Sequence, residues 1–323
     1  MSCKSEPFLL SPAGKDYLWG GERLKEKYNK DIDLSPLAET WECSTHPDGE
    51  SIAASGANKG KTLSQILREH QDWLGTHPKS EDGIPILVKF IDAKQDLSVQ
   101  VHPDDEYAQK NENQLGKTEM WYVIEAEPGA KLVYGFKHDV TEEELGEYIG
   151  KETLMKHLNT VPVHKGDVFF ITPGTVHAIG EGALIAEIQE SSNVTYRLYD
   201  YGRRDKNGNL RELHIDKAAQ VLNYKKSGSV RQPMHVLRYK PGCARELLSN
   251  CEYFKVERVL LNGSTTKEVT ELSFEVLMCI DGTVRICSGE TDLEVTKGNT
   301  VFIPAGSGKI TVIGKGEMLM IRC

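Results

Sequence analysis

KGDVFFITPGTVH at residues 165–177 and KGNTVFIPAGSGK at residues 297–309 align without a gap, pairing Lys165 with Lys297, Gly166 with Gly298, Phe170 with Phe302, Ile171 with Ile303 and Gly174 with Gly306. Each copy reads as a Lys-Gly turn, a short apolar strand and a second turn with glycine. Two copies of one such unit imply a chain assembled from β modules. Around them, most of the 323 residues fall into short apolar or alternating runs punctuated by Gly, Pro, Asn and Asp, which favours antiparallel sheets of sandwich or barrel type. The copies differ where chemistry is concerned. His177 closes the first, Lys309 stands opposite it in the second, and no histidine follows His235. Only the first copy can build a histidine metal site.

Working outward from His177, LSVQVHPDD (97–105) alternates Leu97, Val99 and Val101 against Ser98, Gln100 and His102. On a strand, Gln100 and His102 therefore leave the same face. GKTEMWYV (116–123) supplies Glu119, with Lys117 two residues earlier on the same strand face. Two imidazoles, a carboxylate and an amide oxygen from three strand-like stretches form a donor set suited to a divalent transition metal such as zinc. A chain with ten histidines also places two near strands by chance, so spacing alone leaves two ordinary core histidines open as a reading.

Three segments carry helical signals: KTLSQILREHQDWLG (61–75) with Thr62 as N-cap, TEEELGEYIGKETLMKHLN (141–159) with the capping-box pair Thr141 and Glu144, and RELHIDKAAQVL (211–222). These helices are expected at the periphery. The polar, turn-rich SGSVRQPM (227–234) is the linker candidate. The expected architecture is mainly β, with two β modules of sandwich or barrel type and a few peripheral helices. Residues 1–230 would form the metal-binding catalytic domain, and residues 231–323 a second, metal-free one. GANKGKT (56–62) imitates a phosphate-binding P-loop but has three residues between its first glycine and GKT where four are needed. It reads as a loop capping the following helix.

A formal charge of −9 and a pI near 5.7, with no basic run, exclude an electrostatic footprint for nucleic acid. No window reaches the roughly 18 apolar residues of a membrane span, and the start has no apolar stretch of signal length, so a cytoplasmic protein is expected. Seven scattered cysteines without a CxxC spacing read as reduced thiols, Cys279 and Cys287 as small core residues.

GDVFFITPGTVHAIG with QVH upstream resembles the cupin superfamily, which implies that the two β modules are cupin-like jelly-roll β-barrels. More specifically, AETWECSTHPDG (38–49), LSVQVHPDD, GKTEMWYV, GTVHAIG (174–180) and TYRLYDYGR (195–203), in that order, resemble the type I mannose-6-phosphate isomerases in their short bacterial form. Those are zinc enzymes that interconvert mannose 6-phosphate and fructose 6-phosphate. The resemblance assigns one Zn2+, or another divalent ion, to Gln100, His102, Glu119 and His177, and a catalytic role to Arg197. Glu187, in ALIAEIQES on the run leaving His177, is the candidate base, although a half-exposed strand carboxylate is also commonly solvated or ion-paired. Lys117, Lys89 and Ser98 match pocket residues of the family and are expected to meet the phosphorylated sugar. Lys89 has a second reading as a strand-edge lysine whose stem snorkels outward. Trp41, Trp121 and Tyr122 are candidate pocket walls or core aromatics. Two rivals remain: a cupin oxygenase, whose sites usually carry more imidazole and no amide, and a catalytically silent sugar-binding cupin, which should have lost ligands that the first copy keeps.

Overall fold

In a computed structural model of the chain, the described residues are 5–78, 80, 83–205, 207–228, 230, 232 and 235–323. The protein is mainly β, with short helices between strands. It groups into two compact units. One contains the described parts of 1–15, 22–90 and 233–323, and the other contains those of 16–21 and 91–232. The expected division at 230/231 falls close to the end of the second unit, while residues 22–90 group with the C-terminal part. Of the linker candidate, Ser229, Arg231, Pro233 and Met234 lie outside the described residues, as does Cys3.

In the unit that ends at Gln232, five strands pair in the order Tyr196–Tyr199, Val99–Val101, His177–Ile179, Lys131–Phe136, Leu158–Pro162. Alternation gives this sheet two different faces. Val99, Val101, Val133, Ala178, Tyr196 and Leu198 enter an apolar core closed by Leu145, Leu154 and Ala218 from the helices Glu142–Gly150, Leu154–His157 and Ile215–Val221. Truncating a fully buried leucine such as Leu145 or Leu154 to alanine would cost about 2–5 kcal/mol. The opposite face carries Gln100, whose register partners are His177 and Arg197. A second group of strands in the same unit runs Val168–Ile171, Glu119–Ala126, Ala183–Glu190 and sets Glu119 opposite Ile171 and Gln189, Trp121 opposite Phe169 and Glu187.

The other unit contains a nine-stranded sheet in which Lys255–Val269, Gly308–Arg322, Glu275–Ser288 and Thr300–Ile303 are successive neighbours. The two sequence copies share their turns. Gly166 and Gly298 have φ of 95° and 89°, and Gly174 and Gly306 have 81° and 74°, a region that side chains disfavour. That is why these glycines recur at the same offsets. Among the described residues, the strand pairings close no barrel.

The helix signals at Thr62 and Thr141 are realised as full capping boxes, with Gln65 and Glu144 at the third position. The P-loop imitation is the loop leading to Thr62. RELHIDKAAQVL becomes helical only over Ile215–Val221, which leaves Arg211 in the preceding loop. The helix Asp105–Glu112, capped by Asp104, was not anticipated because only Ala108 on it is buried, so it shows no apolar stripe. The six described cysteines form no disulfide. Cys279 is buried as expected and Cys287 only partly so.

Candidate metal centre

His102 follows the Val99–Val101 strand, and its Nδ1 lies 2.9 Å from the Val194 carbonyl. His177 opens its own strand with Nδ1 2.8 Å from the Thr175 carbonyl. The turn before it is fastened to its partner ligand, since the Gly174 N–H donates to the His102 carbonyl at 2.9 Å. A carbonyl only accepts, so each Nδ1 carries the proton and each Nε2 presents a lone pair. Those two Nε2 atoms face each other at 3.1 Å. Glu119 Oε1 is 3.2 Å from His102 Nε2, and Glu119 Oε2 is 3.6 Å from His177 Nε2. All three side chains are buried, and their donor atoms lie within 4.8 Å of one another.

The two Nε2 lone pairs converge without a proton between them and repel, and the buried Glu119 Oε1 has an ion pair with Lys117 but no hydrogen bond. A cation satisfies this arrangement. Among the described residues it is the one group of three or more His, Cys, Asp or Glu side chains placed to share a metal ion. The protonation states agree. Burial first, then the Lys117 ammonium, depresses His102 to a pKa of about 3, and burial likewise lowers His177, so both imidazoles are neutral. Burial would raise Glu119, but the Lys117 ammonium outweighs it and holds the carboxyl well below its usual range. Gln100 brings its amide Nε2 to 3.5 Å from His177 Nε2, and a nearly isosteric turn of the amide brings its oxygen there instead.

Lys117 is 4% exposed and sets Nζ 3.2 Å from Glu119 Oε1, so its nearest partner is the carboxylate. Trp121 donates its one indole N–H to two carboxylates, Glu119 Oε2 at 3.1 Å and Glu187 Oε1 at 2.9 Å. Arg197, across from Gln100, donates from Nε to Ser98 Oγ at 3.3 Å and from Nη1 to the Glu212 carbonyl at 2.7 Å. Burial, then the charge of Arg211, lowers its pKa, although a guanidinium stays protonated throughout the physiological range. Lys89 belongs to the other unit, where Nζ lies 3.9 Å from Glu39 Oε2 and 5.3 Å from the Trp41 ring centroid. Tyr122 alternates with Trp121 and so turns to the face of its strand away from Glu119. A cleft of about 420 Å3 lined by Asp96, Lys131, Ile179 and Tyr201, among others, includes none of the four expected ligands. Sequence reading missed Trp121 as a bridge between carboxylates, and also the buried Asp200 with its arginines. Trp121 shares the Glu119 face by alternation, which was a usable signal, whereas nothing local marked Asp200.

Imidazoles and a carboxylate turned inward from antiparallel strands onto one buried point define a candidate metal-binding centre of the cupin type. Residues 8–153 match the family described as phosphomannose isomerase type I, catalytic domain, and residues 245–323 match mannose-6-phosphate isomerase, cupin domain. The chain is 38% identical over 317 residues to the mannose-6-phosphate isomerase ManA of Bacillus subtilis, covering 98% of each, and 36% identical to the Streptococcus mutans mannose-6-phosphate isomerase, covering 93% of each. The crystal structure of the Bacillus subtilis mannose 6-phosphate isomerase superposes with a TM-score of 0.91 at 32% identity, over 98% of this chain and 99% of that one. The chain belongs to the type I mannose-6-phosphate isomerase family.

Proposed function

We propose that this enzyme interconverts mannose 6-phosphate and fructose 6-phosphate through an enediol(ate), with one divalent ion, zinc by preference, held by Gln100, His102, Glu119 and His177. The observation that carries the metal is the pair of neutral Nε2 lone pairs facing each other at 3.1 Å beside the buried Glu119 carboxylate. A divalent ion there supplies Lewis acidity toward a sugar oxygen.

Moving between aldose and ketose takes one proton off C2 and places one on C1, with the hydroxyl proton returned to the other oxygen. Glu187 is the carboxylate proposed to move the carbon-bound proton, oriented by the Trp121 N–H. Arg197, braced by Ser98 and the Glu212 carbonyl, directs its charge to the anionic oxygens that develop. Lys117 neutralises Glu119 and presents N–H groups to the bound sugar. We read the β regions of 1–230 and 231–323 as two cupin-like modules, the second without metal. Sugar phosphates are charged and do not cross membranes, which favours the cytoplasm as the working compartment. Among the described residues, no helix is long and apolar enough to cross a membrane. A coupled assay with mannose 6-phosphate, before and after chelation and after zinc is added back, tests the reading. Turnover that survives complete metal removal refutes it.

A further inference from the structure

Gly116, Lys117 and Thr118 precede the Glu119–Ala126 strand, and the ladder that sets Glu119 opposite Ile171 and Gln189 begins only at Glu119. Three separate acceptors hold the consecutive N–H groups of this segment. Gly116 donates to Asp105 Oδ1 at 2.8 Å, Lys117 to the Pro103 carbonyl at 3.1 Å, and Thr118 to Glu190 Oε1 at 2.6 Å. Glu190 also gives back a bond, its own N–H donating to the Thr118 carbonyl at 3.1 Å. Glycine is required at 116, because a Cβ there would lie 2.6 Å from the Asp105 nitrogen at the start of the Asp105–Glu112 helix.

The two carboxyl groups in this grip are themselves neighbours. Glu190 is 1% exposed, and its Oε2 is buried without a hydrogen-bond partner among the described residues. A bare charge in that position is costly. Burial raises the Glu190 pKa and the Asp105 charge adds to the rise, and a proton on Glu190 both removes the charge and supplies a hydrogen bond to Asp105. The pair then closes around residues 116–118 from both sides. At the middle of the segment, Lys117 sets Nζ 3.2 Å from Glu119 Oε1. A long side chain keeps such a place only while its backbone is fixed, and a shift of about 1 Å in a site can cost on the order of a hundredfold in rate.

We propose that Glu190, joined to Asp105, is a positioning residue for Lys117, fixing the backbone on either side of it so that its ammonium meets both Glu119 and the sugar. The proposal rests on the reading of Lys117 as a group that contacts the substrate.

The test is a double-mutant cycle on metal-loaded enzyme with Glu190→Ala, Lys117→Ala and both together, and Glu190→Gln beside them. Glu190→Ala should lower kcat/KM for mannose 6-phosphate about ten- to a hundredfold with metal content held, since the strand ladder keeps Glu119 in place. Added to Lys117→Ala, it should deepen the loss by no more than about twofold, because no lysine is left to place. Glu190→Gln offers the same oxygen to Thr118 and an N–H to Asp105, so it should recover most of the loss. Full additivity, wild-type turnover in Glu190→Ala, metal lost together with turnover, or a glutamine variant as impaired as the alanine one overturns the proposal and leaves the isomerase reading standing. Lys117→Ala with wild-type kinetics refutes the reading of Lys117 and the positioning with it. A wild type inactive on mannose 6-phosphate refutes the isomerase reading. Amide hydrogen exchange then decides the grip alone: residues 116–118 exchanging at least about tenfold faster in Glu190→Ala but not in Glu190→Gln support it, and equal exchange in all three proteins overturns it. Should Glu190→Ala misfold, Asp105→Ala opens the other side and takes its place in the cycle, coupling to Lys117 supporting the proposal and additivity overturning it.

Discussion

The strands after the two repeated turns begin alike and end with opposite chemistry. Ala178 in the first copy and Ile310 in the second both enter apolar cores. One residue earlier, His177 is fully buried against Glu119 and His102, whereas Lys309 is exposed and pairs in register with Glu268. The glycines that shape the turns have nearly the same φ in both copies. Turn geometry therefore encodes the scaffold, and chemistry depends on whether the second face of the strand is covered. In the first copy, residues from other strands of the same unit cover it with Gln100, Arg197 and Glu119. In the second it faces solvent.

The strongest test of this contrast removes the covered side. His177→Ala should lose bound metal and nearly all turnover together, since one of two imidazoles in a mixed site is gone, and metal analysis after gel filtration beside the coupled assay measures both. A fully active, metal-free variant would refute the site. Arg197→Lys sharpens the comparison by keeping the charge and discarding the fork. Metal content should hold while kcat falls by at least ~10², the scale of one lost oxyanion donor. Trp121→Phe keeps the ring and deletes the N–H shared by Glu119 and Glu187, so kcat should fall by about tenfold, the effect of one hydrogen bond to a charged group, with most metal retained. If kcat and metal occupancy are both unaffected, the indole only fills space. The smallest effect belongs to the second copy. Lys309→His recreates the missing ligand type on a face open to water, and should add no metal and change stability by no more than about 0.5 kcal/mol, as read by denaturant titration and metal analysis. A second bound ion would collapse the distinction between the copies.

Much of this was legible in the sequence because it is encoded by local rules. Period-two alternation put Gln100 on a definite face, glycines marked the turns, and Thr62 and Thr141 marked helix starts. What stayed hidden depends on pairings between strands distant in sequence. That Gln100 would face both His177 and Arg197 follows from register, which no segment states alone. Lys117 was expected to meet the phosphorylated sugar, and the register adds that its nearest partner in the dry site is the Glu119 carboxylate on the same strand face. Arg211 was absorbed into a helical pattern that begins only at Ile215, so its place beside Asp200 had no sequence signal.

Both ligand imidazoles are held from behind by main-chain carbonyls, Val194 for His102 and Thr175 for His177. Folding thus completes the ordering of the rings before any ion arrives, and capture of the ion requires little further loss of side-chain freedom. The same preparation leaves two imidazole lone pairs facing each other in the metal-free fold with no proton to share. An ion that binds this fold and not the unfolded chain stabilises it by roughly 2.7 kcal/mol at a free concentration a hundred times its Kd. The melting temperature of this protein should accordingly track the free metal concentration around it, with Thr175 and Val194 as the backbone points through which occupancy of the centre is felt by the loops that carry them.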